Sequence, residues 1–243
     1  MKISRSAIKR NAKAQIRASV PHACLVALVY LAIVGILGTL STRVSGLNWD
    51  AITSAVENED LLALLTLFRP DFTRTVLSLA IEIVTVILGV GFTIYTLNVS
   101  RMRPASFGNL FDGFAIFLRA LWLSILMGIF TFLWSLLFII PGIIATYRYS
   151  QAMYLLIDNP DMSAMQCIRA SSQMMKGHKW ELFVLQLSFI GWALLSIIPL
   201  VSIWTAPYFQ ITYANYYNAL LGLHNRAYYS EGPQSEGSDS PAE

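Results

Sequence analysis

No charged side chain interrupts residues 182–222, which read LFVLQLSFIGWALLSIIPLVSIWTAPYFQITYANYYNALLG. A helix that crosses a membrane needs about 20 apolar residues. The stretch is therefore long enough for two spans, 182–200 and 206–222, with a tight connection near Pro199 to Pro207. It predicts a helical hairpin inside a membrane.

The composition of the whole chain agrees with this interpretation. Of 243 residues, 56% are hydrophobic and 13% are charged, whereas soluble domains carry about 25% charged residues. The mean hydropathy is +0.56. Further apolar runs predict four more spans, near 21–40, 75–97, 120–140 and 142–157, with the last two separated by Pro141-Gly142. We predict an all-α polytopic membrane protein with about six transmembrane helices.

Basic residues indicate how the chain is oriented. Most of the 17 Lys and Arg residues fall in the N-terminal tail and in alternate connecting segments, which the positive-inside rule places in the cytoplasm. Both termini are then cytoplasmic. We expect one membrane domain over 1–226 and a disordered cytoplasmic tail over 227–243, which is rich in Ser, Gly, Pro and acids. The basic residues are spread over short segments, so no nucleic-acid partner is predicted.

Three segments outside the spans show helical patterns. The N-terminal tail places apolar residues on one face, so it either lies on the anionic inner leaflet or only sets the topology. Segments 98–119 and 158–181 predict further interfacial helices on the inner side. Residues 61–68, LLALLTLF, predict a short helix on the outer surface.

A weak internal repeat links the two halves. DGFAIFLRALWLS (112–124) aligns with KGHKWELFVLQLS (176–188) at a spacing of 64 residues. The repeat predicts parallel hairpins around an axis along the membrane normal. Chance similarity between apolar segments is the alternative explanation.

Two ionisable residues lie within predicted spans. Glu82 and Arg148 each cost about 2.5–3.5 kcal/mol to insert, so they are expected to face the interior and to pair. A contact between them is either a binding site or gate, or an ion pair that only sets helix register. Alternatively Arg148 snorkels to lipid phosphate, with Tyr147 and Tyr149 at headgroup level. Tyr213 belongs to an aromatic belt or a polar seam; these five residues are the candidate binding site.

No catalytic or metal-binding pattern accompanies these residues. His22, His178 and His224 are far apart and lack paired metal-ligand spacing. No phosphate-binding, nucleophile-elbow or zinc-protease motif occurs. We predict no metal, no cofactor and no enzymatic activity.

The stretch PGIIATYRYSQAMYLLIDNPDMSAMQCIRASSQMMKGHKWELFVLQLSFIGW (141–192) resembles an uncharacterised family of bacterial integral membrane proteins common in Gram-positive bacteria. ISRSAIKRNAKAQIR and FGNLFDGF also fit that family. It is similar to the membrane domain fused to glycerophosphoryl diester phosphodiesterases, but no catalytic domain of that kind is present. The resemblance implies a membrane fold and proximity to lipid, and no established activity.

The leading hypothesis is a non-catalytic module of the bacterial cytoplasmic membrane that binds membrane lipids or another membrane protein. The alternative is a transporter or channel for a small molecule or lipid, with a polar site around Glu82 and Arg148. A third hypothesis is a lipid-modifying enzyme that uses Glu82 or Asp158.

Overall fold

The computed structural model describes residues 3–45, 49–58, 60, 62 and 71–230, which contain helices and connecting segments but no strand. This confirms the all-α class. The α-helices are α1 (Arg5–Ala18), α2 (Ala23–Ser45), α3 (Trp49–Glu57), α4 (Phe72–Ser100), α5 (Phe117–Leu137), α6 (Ile139–Tyr149), α7 (Ala152–Asp158), α8 (Ala164–Met174), α9 (Lys179–Leu187), α10 (Ile190–Leu195) and α11 (Pro199–Ser230). Two 3₁₀ helices, η1 (Phe107–Leu110) and η2 (Asp112–Ile116), precede α5.

Three of the predicted spans correspond to helical stretches long and apolar enough to cross a membrane. These are Ala23–Val44, Phe72–Ser100 and Phe107–Leu137. The other three predicted spans are not among these stretches. Span 142–157 is divided between α6 and α7, span 182–200 is divided between α9 and α10, and span 206–222 lies within α11.

The helix breaks fall at other residues than the prolines suggest. α5 ends before Phe138, whose backbone is extended, and Pro141 lies in the first turn of α6, where a proline is tolerated. Pro199 likewise begins α11, and Pro207 lies inside it. The predicted breaks at Pro141-Gly142 and near Pro199 to Pro207 are therefore wrong in position.

The predicted start of the C-terminal tail and the predicted helix over 61–68 lie at the edges of the described residues. α11 continues to Ser230, so the first four residues of the predicted tail, 227–230, are helical. The rest of the tail and, apart from Leu62, the predicted helix over 61–68 lie outside the described residues. The internal repeat stays a prediction.

The apolar face of α1 is covered by protein. Ile8, Ala12 and Ile16 are buried in a core that also contains residues of α11. Lys9 donates to Ser188 Oγ at 2.6 Å, and its burial, together with nearby Lys13 and Arg5, lowers the pKa of its ammonium group. Of the two alternatives for the N-terminal tail, contact of this apolar face with the membrane is therefore wrong, because helix packing already uses the face.

Segment 98–119 contains 3₁₀ turns where an interfacial α-helix is predicted. Met102 has a positive φ of 53° after α4, and Pro104 follows, so the helix cannot continue. Leu110 is buried, whereas Phe107, Phe111 and Phe114 are exposed. The short turns bring the backbone of η1 and η2 directly against α4, where Gly91 faces the carbonyl of Leu110.

Segment 158–181 contains one helix with a complete N-terminal cap. Ser163 Oγ accepts from the backbone N–H of Gln166 at 3.3 Å, and Gln166 Oε1 accepts from the N–H of Ser163 at 2.8 Å. This reciprocal pair satisfies two donors at the start of α8. It fixes where α8 begins relative to α7.

Replacing Ser163 with alanine should lower the free energy of unfolding by about 1 kcal/mol, since the cap at α8 would be lost. Unfolding in a denaturing-detergent titration of the purified protein measures this. Ser4→Ala is the matched control, because the Ser4 side chain makes no capping hydrogen bond to the backbone of α1 and contacts only the exposed Ser6 hydroxyl, at 3.2 Å. An equal loss in both variants would contradict the assigned role of the cap.

Candidate functional site

Arg148 is held at the end of α6 by contacts with α8. Its Nε donates to Ser172 Oγ, and its backbone carbonyl accepts from Ser171 Oγ at 2.9 Å. Ser171 Oγ also accepts from the N–H of Gln151 at 3.2 Å. The turn between α6 and α7 is thereby fixed to α8, and the guanidinium position follows from it.

The guanidinium lies in an open groove between α5, α6 and α8, with a volume of about 530 Å³. We call it the Arg148 groove. Its apolar lining is Phe130, Trp134, Tyr149, Met165 and Ile168, and its polar lining is Arg148, Arg169, Ser172, Gln173 and Lys176. No carboxylate is among these lining residues, so the groove has a local excess of positive charge.

The sequence of α8 explains why the cations collect there. Met165, Arg169 and Ser172 recur at intervals of four and three residues, which places them on one helical face, and Lys176 follows in the turn after α8. Ser172 is buried, whereas Arg169 and Lys176 are exposed. α8 therefore presents a polar strip beside the apolar side chains of α5.

Glu82 does not meet Arg148. It is exposed on α4 and accepts a hydrogen bond from Ser41 Oγ of α2 at 3.3 Å. Arg148 instead has Ser172 as its partner. The expected contact between Glu82 and Arg148 is wrong, because Glu82 faces α2 while α8 supplies a closer partner for the arginine.

Of the three predicted tyrosines, Tyr147 and Tyr213 both contact Gln186, whereas Tyr149 lies apart from them. Tyr149 is buried and packs against Phe130, with ring centroids 6.3 Å apart, so it shares the groove with Arg148. Tyr147 points to another side of α6 and donates to Gln186 Oε1 at 2.6 Å. Tyr213 packs edge-on against Phe189 at 6.2 Å. Of the five predicted site residues, only Arg148 and Tyr149 come together in the Arg148 groove.

A second groove lies on that other side of α6. It has a volume of about 310 Å³ and is lined by Ile143, Ile144, Tyr147, Lys179, Trp180 and Phe183. We call it the Trp180 groove. Trp180 is exposed and its ring packs against Phe183 at 5.0 Å. The groove is an apolar surface with one cation.

Comparison with known proteins bears on the chain as a whole. The sequence profile of a family described as "Protein of unknown function (DUF975)" matches residues 1–147 and 136–224. The chain belongs to this family. Membership confirms the resemblance to an uncharacterised family, while the relation to phosphodiesterase membrane domains stays a prediction. No curated protein and no solved structure matches the chain.

This DUF975 protein also contains a polar network centred on Arg101 and Asp158, a pairing that the sequence does not predict. Arg101 donates through both terminal nitrogens to the two oxygens of Asp158, each at 2.6 Å. Tyr217 donates to Asp158 at 2.8 Å, and Asn218 Oδ1 accepts from Arg101 Nε at 2.9 Å. The carboxylate raises the pKa of Arg101 above its ordinary value.

The network extends to the N-terminal helix. Gln15 exchanges hydrogen bonds with Asn215, at 2.7 and 3.3 Å, and donates to the carbonyl of Ser100 at 2.8 Å. Asn218 donates to Ser100 Oγ at 2.9 Å. One set of polar contacts thus connects α1, the end of α4, the end of α7 and α11. Its members are far apart in sequence, so no local spacing could have revealed it.

In the part of the chain that the structure describes, no group of three or more His, Cys, Asp or Glu side chains is placed to hold a metal ion. His178 is instead paired with Glu181, with Nδ1 and Oε2 2.9 Å apart. Cys24 and Cys167 are both free thiols. The Arg148 groove combines three cationic side chains, Arg148, Arg169 and Lys176, with an accessible cavity.

Proposed function

We propose that this DUF975 protein is a non-catalytic integral membrane protein that binds an anionic lipid in the Arg148 groove. The observation that carries the proposal is the combination of Arg148, Arg169 and Lys176 with an apolar wall in one cavity. A phosphate headgroup complements the positive charge of these side chains, and an acyl chain can pack against the apolar wall.

The guanidinium of Arg148 retains unused hydrogen-bond donors. An arginine has five N–H donors and no acceptor, and within the described residues only Nε of Arg148 is hydrogen-bonded. Arginine pairs with phosphate in a bidentate manner, and such charge-assisted bonds are the stronger kind. The free side of this guanidinium is therefore available for a phosphate group in the groove.

The surface beside the groove is suited to lipid. α5 exposes a row of large apolar side chains: Leu118, Trp122, Ile125, Ile129, Phe132 and Leu133. Soluble monomers rarely expose apolar patches of this extent. α5 thus contributes Phe130 and Trp134 to the apolar wall of the groove and exposes a further apolar face that favours contact with acyl chains.

The lining of the groove favours binding over catalysis. His, Asp and Glu, which are the usual general acids and bases, are not among the groove's lining residues. The distribution of basic residues supports a cytoplasmic-membrane location with both termini inside. A partner membrane protein is a second class of ligand, but an open cationic cavity accommodates a headgroup more directly than a helix face.

Removing two charges from the groove should weaken anionic-lipid binding at least tenfold. Charge-assisted hydrogen bonds contribute about 1.5–3 kcal/mol each, so the double variant Arg148→Gln/Arg169→Gln should lose most of the affinity. Lipid titration monitored by native mass spectrometry, with phosphatidylglycerol and phosphatidylcholine in turn, measures the effect.

The matched control is Arg5→Gln/Arg10→Gln, which removes the same charge from exposed positions on α1. It should bind phosphatidylglycerol as tightly as the unmodified protein. Equal binding of phosphatidylglycerol and phosphatidylcholine by the unmodified protein would refute the proposal. So would an unchanged affinity in the groove variant.

A further inference from the structure

The three cations of the Arg148 groove are grouped around Ser172. Ser172 Oγ accepts from Arg148 Nε, which holds the guanidinium beside this residue of α8. Arg169 precedes Ser172 by one helical turn, and Lys176 follows it in the turn that ends α8. All three cationic side chains line the same cavity. A single anionic group in the cavity is therefore able to contact more than one of them.

Within the described residues, no carboxylate offsets these charges. None of the salt bridges there contains Arg148, Arg169 or Lys176. The two acids nearest to α8 in the sequence are engaged elsewhere: Asp161 lies 3.8 Å from a cation of α5, and Glu181 is paired with a histidine. A zwitterionic headgroup would find no counter-charge for its ammonium group in the groove, whereas an anionic headgroup would find an excess of partners.

The apolar part of the groove leads toward the tip of the α5–α6 hairpin. Phe130 packs against Tyr149, next to Arg148, and Trp134 lies one turn further along α5, toward the extended residue Phe138. The side chains around the tip are large, apolar and exposed: Leu133, Leu136, Leu137, Phe138, Ile139 and Ile140. A phosphate group held by the cations would thus have an apolar path along α5 for its acyl chains.

We infer that the Arg148 groove selects lipids whose headgroup is a phosphomonoester, as in phosphatidic acid. The inference rests on the proposed function and specifies its ligand. A phosphomonoester has three terminal oxygens and a charge of about −1.5 to −2 at pH 7, whereas a phosphodiester has two terminal oxygens and one charge. Each of the three cationic side chains can form a charge-assisted hydrogen bond to one oxygen of the monoester. A diester leaves one of the three without a terminal oxygen.

The test compares phosphatidic acid with phosphatidylmethanol, which differs from it by one methyl group on the phosphate. Phosphatidylcholine with the same acyl chains is the zwitterionic reference. The full chain in detergent is titrated with each lipid at pH 8, above the second phosphate pKa of about 6, and analysed by native mass spectrometry. We expect one phosphatidic acid per protein, bound about tenfold or more tighter than phosphatidylmethanol because of the additional charge-assisted contact.

Glycerol 3-phosphate separates a lipid from a soluble phosphate ester, because it carries the monoester without acyl chains. It should bind about a hundredfold or more weakly than phosphatidic acid, since it buries no apolar surface against the wall of the groove. Binding as tight as that of phosphatidic acid would identify a soluble ester as the ligand, and would overturn both the inference and the proposed function.

Lys176→Gln removes the third cation from an exposed position and should reduce the preference for phosphatidic acid over phosphatidylmethanol to about twofold. Lys179→Gln is the matched control, because it makes the same change three residues later, where the side chain lines the Trp180 groove. It should keep the preference, since charges outside the site are screened. A preference that survives Lys176→Gln, or that Lys179→Gln abolishes equally, would overturn the inference.

The unmodified protein distinguishes the inference from the proposed function. Equal affinities for phosphatidic acid and phosphatidylmethanol, both tighter than phosphatidylcholine, would overturn the inference and leave the proposed function standing. If neither anionic lipid bound more tightly than phosphatidylcholine, both would be overturned.

Discussion

The Gly91→Ala variant is expected to lose about 3 kcal/mol of folding free energy, or to accumulate poorly. A Cβ at this position would lie 2.0 Å from the carbonyl oxygen of Leu110 and 2.4 Å from its carbonyl carbon. Both atoms belong to the backbone of η1, so no side-chain rotation relieves the clash. Overpacking costs about 1–3 kcal/mol and sometimes more, which exceeds the gain of about 1 kcal/mol from alanine's higher helix propensity.

The measurement is unfolding of purified variants in a denaturing-detergent titration. Gly89→Ala is the matched control, because Gly89 lies in the same helix and its Cβ would meet only Tyr30 Oη, at an ordinary 3.7 Å. It should be neutral or slightly stabilising. Similar losses at both positions would show that helix flexibility, and not the contact with η1, determines the effect.

The contact between Gly91 and η1 separates the parts of the fold that the sequence predicts from those that it does not. The long apolar runs over 75–97 and 120–140 predict helices because their length and composition alone decide the outcome. The 3₁₀ turns before α5 could not be predicted in this way. They depend on Gly91 and on Gly113, whose Cβ would lie 2.3 Å from the carbonyl oxygen of Ile87, and a close approach of two backbones leaves no local pattern.

The position of the turn in the hairpin of α5 and α6 also could not be predicted from the local sequence. Pro141 is a strong local signal for a break, yet the structure accommodates it in the first turn of α6 and reverses direction at Phe138. The adjacent Gly142 lies so close to Ser135 that a Cβ would be 2.9 Å from its Cα atom. Which residue makes the turn is therefore set by how the two helices approach each other.

The candidate site was only partly predictable for a related reason. Arg148 stands out because a charge inside an apolar run must find a partner, and this signal is local. The identity of the partner is not local. The sequence predicts a separate surface helix over 158–181, which does not point to Ser172 and Arg169 of α8 as neighbours of Arg148, whereas Glu82 is an acid within another predicted span.

The Arg101–Asp158 pair gives no such local signal. Arg101 directly follows the apolar run of α4, and Asp158 belongs to an Asp-Asn-Pro-Asp turn. Each is ordinary in its own neighbourhood. Only the packing of α7 and α11 against the end of α4 makes them one partly buried unit, in which each side chain is 18% exposed.

Breaking this pair should be strongly destabilising. Asp158→Leu leaves the guanidinium of Arg101 without its bidentate partner and also removes the acceptor of Tyr217, while Arg101→Met leaves the carboxylate without its cation. Removing one partner of a buried pair costs about 3–5 kcal/mol, and the remaining exposure places the expected loss near the lower end. Tyr217→Phe removes a single hydrogen bond and should cost only about 1 kcal/mol.

The double variant Arg101→Met/Asp158→Leu separates the cost of an unpaired charge from the benefit of the pair. With both charges removed, no buried ion lacks a partner, and apolar replacements of similar size are often tolerated. Its loss should therefore be smaller than the sum of the two single losses, with a coupling free energy of about 2 kcal/mol in a double-mutant cycle. Denaturing-detergent titrations of the four proteins supply the cycle. Additive losses would mean that Arg101 and Asp158 act separately, and that their pairing does not contribute to the connection of α4, α7 and α11.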